Sequence, residues 1–323
     1  MKSVLTTLLA LLVTSVCVHA QDDTYLTIDD AGSDYQIQGE YTGTVGSDGE
    51  KTQLGVQVIA LGEGKFDAVV YMGGLPGAGW DGSDKIRGQG QAEGDVAKFR
   101  SEGQASAEIS GGRMVIRSES GETLGTLNRT IRKSPTLGAE PPAGATVLFD
   151  GKSADHFERG TLTMGDLLAA DCETKHKFGS HKLHIEFRTP FKPKARGQAR
   201  GNSGVYIQGR YECQVLDSFG LEGENNECGG IYSIARPAVN ACLPPLTWQT
   251  YDIDFTAAEY EGDRKVKNSR VTIRHNGIVI HDDLELTHGT PGKHPEGPGP
   301  DVIYLQGHGN PVVYRNIWVV EKK

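Results

Sequence analysis

Gly201-Asn-Ser-Gly-Val-Tyr-Ile-Gln-Gly-Arg-Tyr-Glu-Cys-Gln-Val-Leu-Asp217 is the stretch from which the fold is read. It divides into two short strands around a Gly-Arg turn, with apolar and polar residues interleaved. Side chains alternate across a strand, so Val205, Ile207, Cys213 and Val215 take one face. Tyr206, Gln208, Glu212 and Gln214 take the other. One face suits a core, and the opposite face suits a polar ligand such as a carbohydrate.

The same alternation runs outward from this hairpin. Leu183, Ile185 and Phe187 alternate with His184, Glu186 and Arg188, and Tyr251, Ile253 and Phe255 alternate with Thr250, Asp252 and Asp254. Further strands are predicted over 231–234, 270–275, 278–282, 302–306 and 312–320, and Asn276-Gly277 between two alternating runs marks a hairpin. No segment reads as a long amphipathic helix. Many antiparallel strands with long loops predict an all-β chain whose C-terminal part is a jelly-roll β-sandwich. Residues 21–133 show short strand segments between Gly-rich turns and predict a small β-rich domain. Ser134–Ala145, rich in Pro, Gly and Ala, reads as the linker to a second domain over 146–323.

Residues 1–20 read as a secretory signal peptide: Lys2, a mostly apolar run, then Val18-His19-Ala20 before Gln21. The run is too short to span a bilayer. The expected product is exported, periplasmic or extracellular, with no membrane span. Loss of Lys2 takes the formal charge from −9 to −10, which argues against nucleic-acid partners. Lys192, Lys194, Arg196 and Arg200 form the one basic cluster, in a Pro/Gly-bearing loop that reads as solvated. Four cysteines remain, and Cys228–Cys242 is the first disulfide pair to test in an oxidising compartment. No Cys-x-x-Cys pair occurs, so a zinc ribbon is not expected.

Collected by parity, one sheet surface is expected to hold Glu186, Arg188, Tyr206, Gln208, Glu212, Gln214, Gln306 and His308. Each has a plain alternative as a solvated strand residue. A bulge after Gln214 would bring Asp217 onto the face of Glu212. His308 stands in Gln-Gly-His-Gly-Asn, where glycines allow close backbone approach and imidazole suits proton transfer. Arg315 and Asn316 fall on opposite faces of the last strand.

At these residues the chain resembles the 3-keto-disaccharide hydrolase domain family, with its concanavalin A-like lectin/glucanase fold. The matching pieces run in order over about 146–321: Val147-Leu-Phe-Asp-Gly-Lys152, His184-Ile-Glu-Phe-Arg188, Gly201–Tyr206, Tyr211–Asp217, Gly230-Ile-Tyr232, Trp248-Gln-Thr-Tyr251, Leu305-Gln-Gly-His-Gly309 and Tyr314-Arg-Asn-Ile317. The resemblance implies cleavage of glycosides already oxidised to a ketone at C3. That chemistry needs a base for the C2 hydrogen, a stabiliser for the enolate oxygen and partners for the sugar hydroxyls. The expected catalytic residues are Glu212 or His308 as base and Arg188, or a divalent cation such as Ca or Mn, at the oxyanion. Glu186, Asn202, Tyr206, Gln208, Gln214, Gln306 and Arg315 are expected to bind the sugar, and Asp217 a metal. No nucleotide cofactor is called for. Three rivals stand beside this reading, the weakest being a surface adhesion protein with the first domain as its binding unit. A glucanase would use two carboxylates, but its Glu-x-Asp-x-x-Glu pattern meets Gln214 and Asp217 here. A non-catalytic lectin-like module shares the fold.

Overall fold

The computed structural model describes residues 23–46, 49–101 and 105–322; the leader predicted over 1–20 lies outside them. The small β-rich domain is a closed antiparallel barrel. A short helix, α1 (Gly32–Ile37), precedes β1 (Gly39–Val45), β2 (Thr52–Gly62), β3 (Lys65–Met72), β4 (Ile86–Glu93), β5 (Val96–Ser101), β6 (Ser106–Ser110), β7 (Arg113–Arg117) and β8 (Thr123–Thr130). Each strand pairs with the next, and β8 returns to β1, with Gly43 opposite Leu127. Closure leaves no unpaired edge. Inward positions carry Tyr41, Val58, Phe66, Phe99 and Leu127, all buried. Tyr35 of α1 joins the same cluster at one end. Outward positions such as Gln89, Gln91, Lys98, Arg100 and Arg117 are polar, unlike the apolar band of a membrane barrel.

The second domain is the predicted sandwich. A five-stranded sheet runs in the order Phe157–Glu158, Cys172–Thr174, Tyr304–Leu305, Ser203–Ile207 and Tyr211–Val215. Behind it, Leu162–Thr163, Leu167–Ala169, Val313–Glu321, His181–Arg188, Gln249–Thr256, Ser269–His275 and Ile278–Leu286 form the larger sheet, and Thr146–Phe149 also pairs with Val313–Glu321. Val205, Cys213 and Leu305 meet Ile185, Phe187, Tyr251 and Phe255 in one buried core. Full burial of each aliphatic or aromatic side chain is worth about 1.5–3 kcal/mol. Asn276 and Gly277 both take positive φ (51° and 80°), which closes the predicted hairpin.

The four described cysteines are buried, and none is disulfide-bonded, Cys228 and Cys242 included. The domains also touch directly. Ile59, Val69 and Tyr71 on the barrel wall pack with Phe219, and Phe191 and Leu246 of the sandwich join the barrel's core cluster.

The stretch 134–139 is pinned rather than free. Gly138 N–H donates to Glu186 Oε1 (2.5 Å) and the Thr136 hydroxyl to Asp252 Oδ2 (2.6 Å). The Ala139 carbonyl accepts from Asn316 (3.1 Å) and Trp318 (3.2 Å).

Candidate active site

Glu212 lies mid-strand at the edge of the five-stranded sheet, where an unpaired edge would leave it loose. Loops supply the missing partners. Its N–H donates to Thr290 Oγ1 (2.9 Å), and its carbonyl accepts from Tyr232 N–H (3.1 Å). Gln214 N–H donates to the Gly230 carbonyl (2.9 Å), and Gly229 N–H donates to the Gln214 carbonyl (3.0 Å). The backbone is therefore held on both sides.

The strand register puts Tyr206 directly across from Glu212, and the Tyr206 hydroxyl lies 2.8 Å from Glu212 Oε2. Gly204, one pleat further on, leaves the room the carboxyl needs, since a Cβ there would collide with it. Glu212 is 4% exposed. Burial pushes its pKa up to about 7, with the Tyr206 hydrogen bond pulling less strongly the other way. A carboxyl so poised can exchange a proton near neutrality, as a general acid–base group must.

Polar and aromatic groups gather on the same face. The Tyr304 ring is 5.5 Å from that of Tyr206, and Gln306 Nε2 donates to the Tyr206 hydroxyl (3.2 Å). Lys293 Nζ stands 4.7 Å over the Tyr304 ring and 2.8 Å from Glu173. Buried Oδ1 of Asn202 and Oε1 of Gln306 accept no hydrogen bond from the described residues. An unpaired buried acceptor is costly, so both suit ligand hydroxyls. Gln214 shares the face, its amide directed to Gln198 Oε1 (3.1 Å).

Other expected site residues lie elsewhere. Gln208 leaves the alternating pattern because the turn begins with it (φ 53°), and its buried amide donates to the Phe178 carbonyl (2.9 Å). Asp217 lies beyond the strand's end at Val215, and no bulge returns it to the Glu212 face; it receives Arg200 Nη2 at 2.6 Å and Nε at 3.1 Å, both residues buried. Its carboxylate is thus engaged by a guanidinium and is unfit to ligate a cation. Among the described residues, no three His, Cys, Asp or Glu side chains converge as metal ligands.

Glu186, Arg188 and Arg315 belong to the larger sheet. Its polar side faces away from the five-stranded sheet across the core, so these residues do not share the Glu212 surface. There His184 stands 2.6 Å from Asp252, 3.6 Å from Glu186 and stacked on Trp318. Arg315 donates to Glu186 (2.7 Å) and lies 4.0 Å over Trp248, with Arg188 at 5.1 Å from the same ring. His308 is exposed in a recess shared with Leu26, Met164, Asp171 and Asn310. Tyr304, whose hydroxyl is 3.4 Å from Asp171, stands between that recess and Tyr206.

Tyr304, Lys293 and Gln198 complete the surface and were not singled out from sequence. Tyr304 carried a signal, being two residues before Gln306 on the same pleat. Lys293 and Gln198 sit on loops whose course no periodicity reports.

A concanavalin A-like sandwich with a tyrosine- and amide-lined face around one buried carboxyl is the build of a carbohydrate-active domain. Residues 144–320 match the family described as the 3-keto-alpha-glucoside-1,2-lyase-like domain, and the chain belongs to that family. A solved structure from Parabacteroides distasonis ATCC 8503, described as a candidate glycosyl hydrolase, is 32% identical, with a TM-score of 0.51 over 56% of this chain and 85% of its own. A second from the same organism, described likewise, is 16% identical, with a TM-score of 0.42 over 56% of this chain and 94% of its own. No curated protein matches the chain.

Proposed function

We propose that this is an exported enzyme that cleaves the glycosidic bond of 3-keto-glycosides, with Glu212 as the proton-transferring group. The carrying observation is a nearly inaccessible carboxyl with its pKa raised to about 7 on the tyrosine- and amide-lined face. The C3 ketone acidifies the hydrogen on C2, so a base of that strength suffices. Glu212 as carboxylate takes the C2 proton, and the electron pair moves onto the C3 oxygen as an enolate. Collapse of the enolate forms the C1–C2 double bond and breaks the bond from C1 to the aglycone oxygen. The proton now on Glu212 passes to that leaving oxygen. Water adding afterwards across C1–C2 gives the hydrolysed 3-keto sugar.

Asn202 Oδ1 and Gln306 Oε1 are the acceptors offered to sugar hydroxyls, and Tyr206 and Tyr304 supply ring surface. Lys293 brings positive charge to the same face.

The test is to incubate purified protein with 3-keto-trehalose or a 3-keto-glucoside beside the unoxidised sugar, following aglycone release. Release from the keto sugar alone, abolished in Glu212→Gln, is expected. Cleavage of the unoxidised sugar at the same rate, or binding with no turnover, would overturn the reading.

A further inference from the structure

The barrel is more than a spacer. Its inward positions can be followed in layers from strand to strand. The layer toward α1 is filled: Ala60 lies across from Phe66, Phe66 across from Gly90, and Gly90 across from Phe99, whose ring occupies the space a Cβ at Gly90 would need. Among the described residues, the opposite end is not filled. There Leu54 faces Met72, Val70 faces Ile86, and Ala107 faces Ile116, all inward by register. Yet Ile86 is 42% exposed, and Val70, Met72, Ala107 and Ile116 are only partly buried. Inward positions on this end are also small: Gly88 pairs with Ser101, and Gly125 with Val45 and Ile116.

The result is an apolar cavity of about 390 Å³ open at one end. Inward-facing yet solvent-exposed apolar side chains lose burial unless something fills the space. The volume falls in the range of small-molecule sites, and barrel mouths are a recurrent place for them. Among the described rim residues, Thr52 and Ser101 offer inward hydroxyls and Glu50 is acidic, while Arg100 and Ser106 lie on the outward register of their strands. The wall itself is made of Leu54, Val70, Met72, Ile86 and Ile116, none of which is charged, and this favours a neutral ligand.

We infer that the open end of the barrel is a binding site for a compact, uncharged hydrophobic molecule, held by the layer of Leu54, Val70, Met72, Ile86 and Ile116. The site is separate from Glu212 and does not depend on the activity proposed above.

A fluorescence titration of the full chain with N-phenyl-1-naphthylamine, a neutral aromatic probe, tests it. Saturable enhancement with one probe per chain and a micromolar Kd is expected. Ile86→Glu should weaken binding at least tenfold, and Val279→Glu, an exposed apolar residue of the sandwich, should not. If Ile86→Glu lowers the unfolding midpoint, Ile86→Gln reads the same loss without a charge. Non-saturable enhancement, wild-type affinity in the folded Ile86 variants, or an equal loss in Val279→Glu would overturn the site.

Discussion

The single hydrogen of the Tyr206 hydroxyl faces two acceptors, Glu212 Oε2 at 2.8 Å and the Pro291 carbonyl at 3.0 Å. When Glu212 is ionised, Tyr206 donates to it. When Glu212 is protonated, the acid can donate to the Tyr206 oxygen and release the tyrosine hydrogen to Pro291. The pair therefore has a complete hydrogen-bond arrangement in either protonation state, as a reversible proton carrier requires.

The pH profile follows from that arrangement. Glu212 must be ionised to act as base, so kcat/KM on a 3-keto-glucoside should rise with pH through a midpoint near 7. Tyr206 stabilises the ionised form, so Tyr206→Phe should move this limb to higher pH as well as lower the plateau. A limb unchanged in the variant would mean that Glu212 is not the titrating base.

Glu212→Gln should separate activity from stability. Activity should fall by more than about 100-fold, in line with loss of a general base. Stability should move the other way. The folded pKa of about 7 lies above the ordinary value of 4.5, so burial of this carboxyl favours its protonated form. That contribution is fully present below about pH 4.5 and is lost as pH rises through 7. The amide carries no such dependence. Urea unfolding at pH 8 should find Glu212→Gln more stable than wild type by on the order of 1–3 kcal/mol, with a smaller gain at pH 4.5.

The sandwich strands were legible because apolar and polar residues alternate with period two. His181–Arg188 and Gln249–Thr256 are strands that contain the two alternating runs, with Leu183, Ile185, Phe187, Tyr251, Ile253 and Phe255 in the core as expected. Parity, however, reports only that a strand has a polar side. It does not report which sheet the strand joins, so Glu186 was grouped with Glu212 although the core separates them. Closure of the barrel was equally hidden, because it depends on β1 meeting β8 some 80 residues away. Gln208 was misplaced by one turn residue, since its left-handed backbone breaks the alternation before Gly209 does.

Asp217 should prove structural. Arg200 and Asp217 are 3% and 1% exposed, and their contact is two-pronged. Asp217→Asn leaves a buried guanidinium without its counter-charge, which costs about 3–5 kcal/mol in comparable pairs. Chelator treatment of the unaltered protein should leave its unfolding midpoint in place, because a guanidinium holds this carboxylate. A midpoint that falls with chelator and is restored by Ca²⁺ would return Asp217 to the role of metal ligand.

The His184 network should act as the clasp that holds residues 134–139 against the larger sheet. Both imidazole nitrogens face carboxylates, an arrangement that favours the protonated ring. Burial opposes that charge, but hydrogen bonds to Asp252 and Glu186 outweigh it and raise the pKa of His184. Burial also works against ionised Glu186, yet donors from His184, Asn316, Gly138 and Arg315 bring its pKa down to about 2. The Glu186 contribution is present above about pH 4.5 and lost as pH falls toward 2, while the His184 contribution is present below its ordinary value of 6.5 and lost as pH rises through the raised one. The clasp is therefore strongest between these limits. At pH 6, Glu186→Gln should destabilise the protein by about 3 kcal/mol or more, because His184 and Arg315 keep their charge and lose its partner. Limited proteolysis should then cut within 134–139 faster than in wild type. Unchanged cleavage together with an unchanged midpoint would show that the segment is held by something other than this buried charge network.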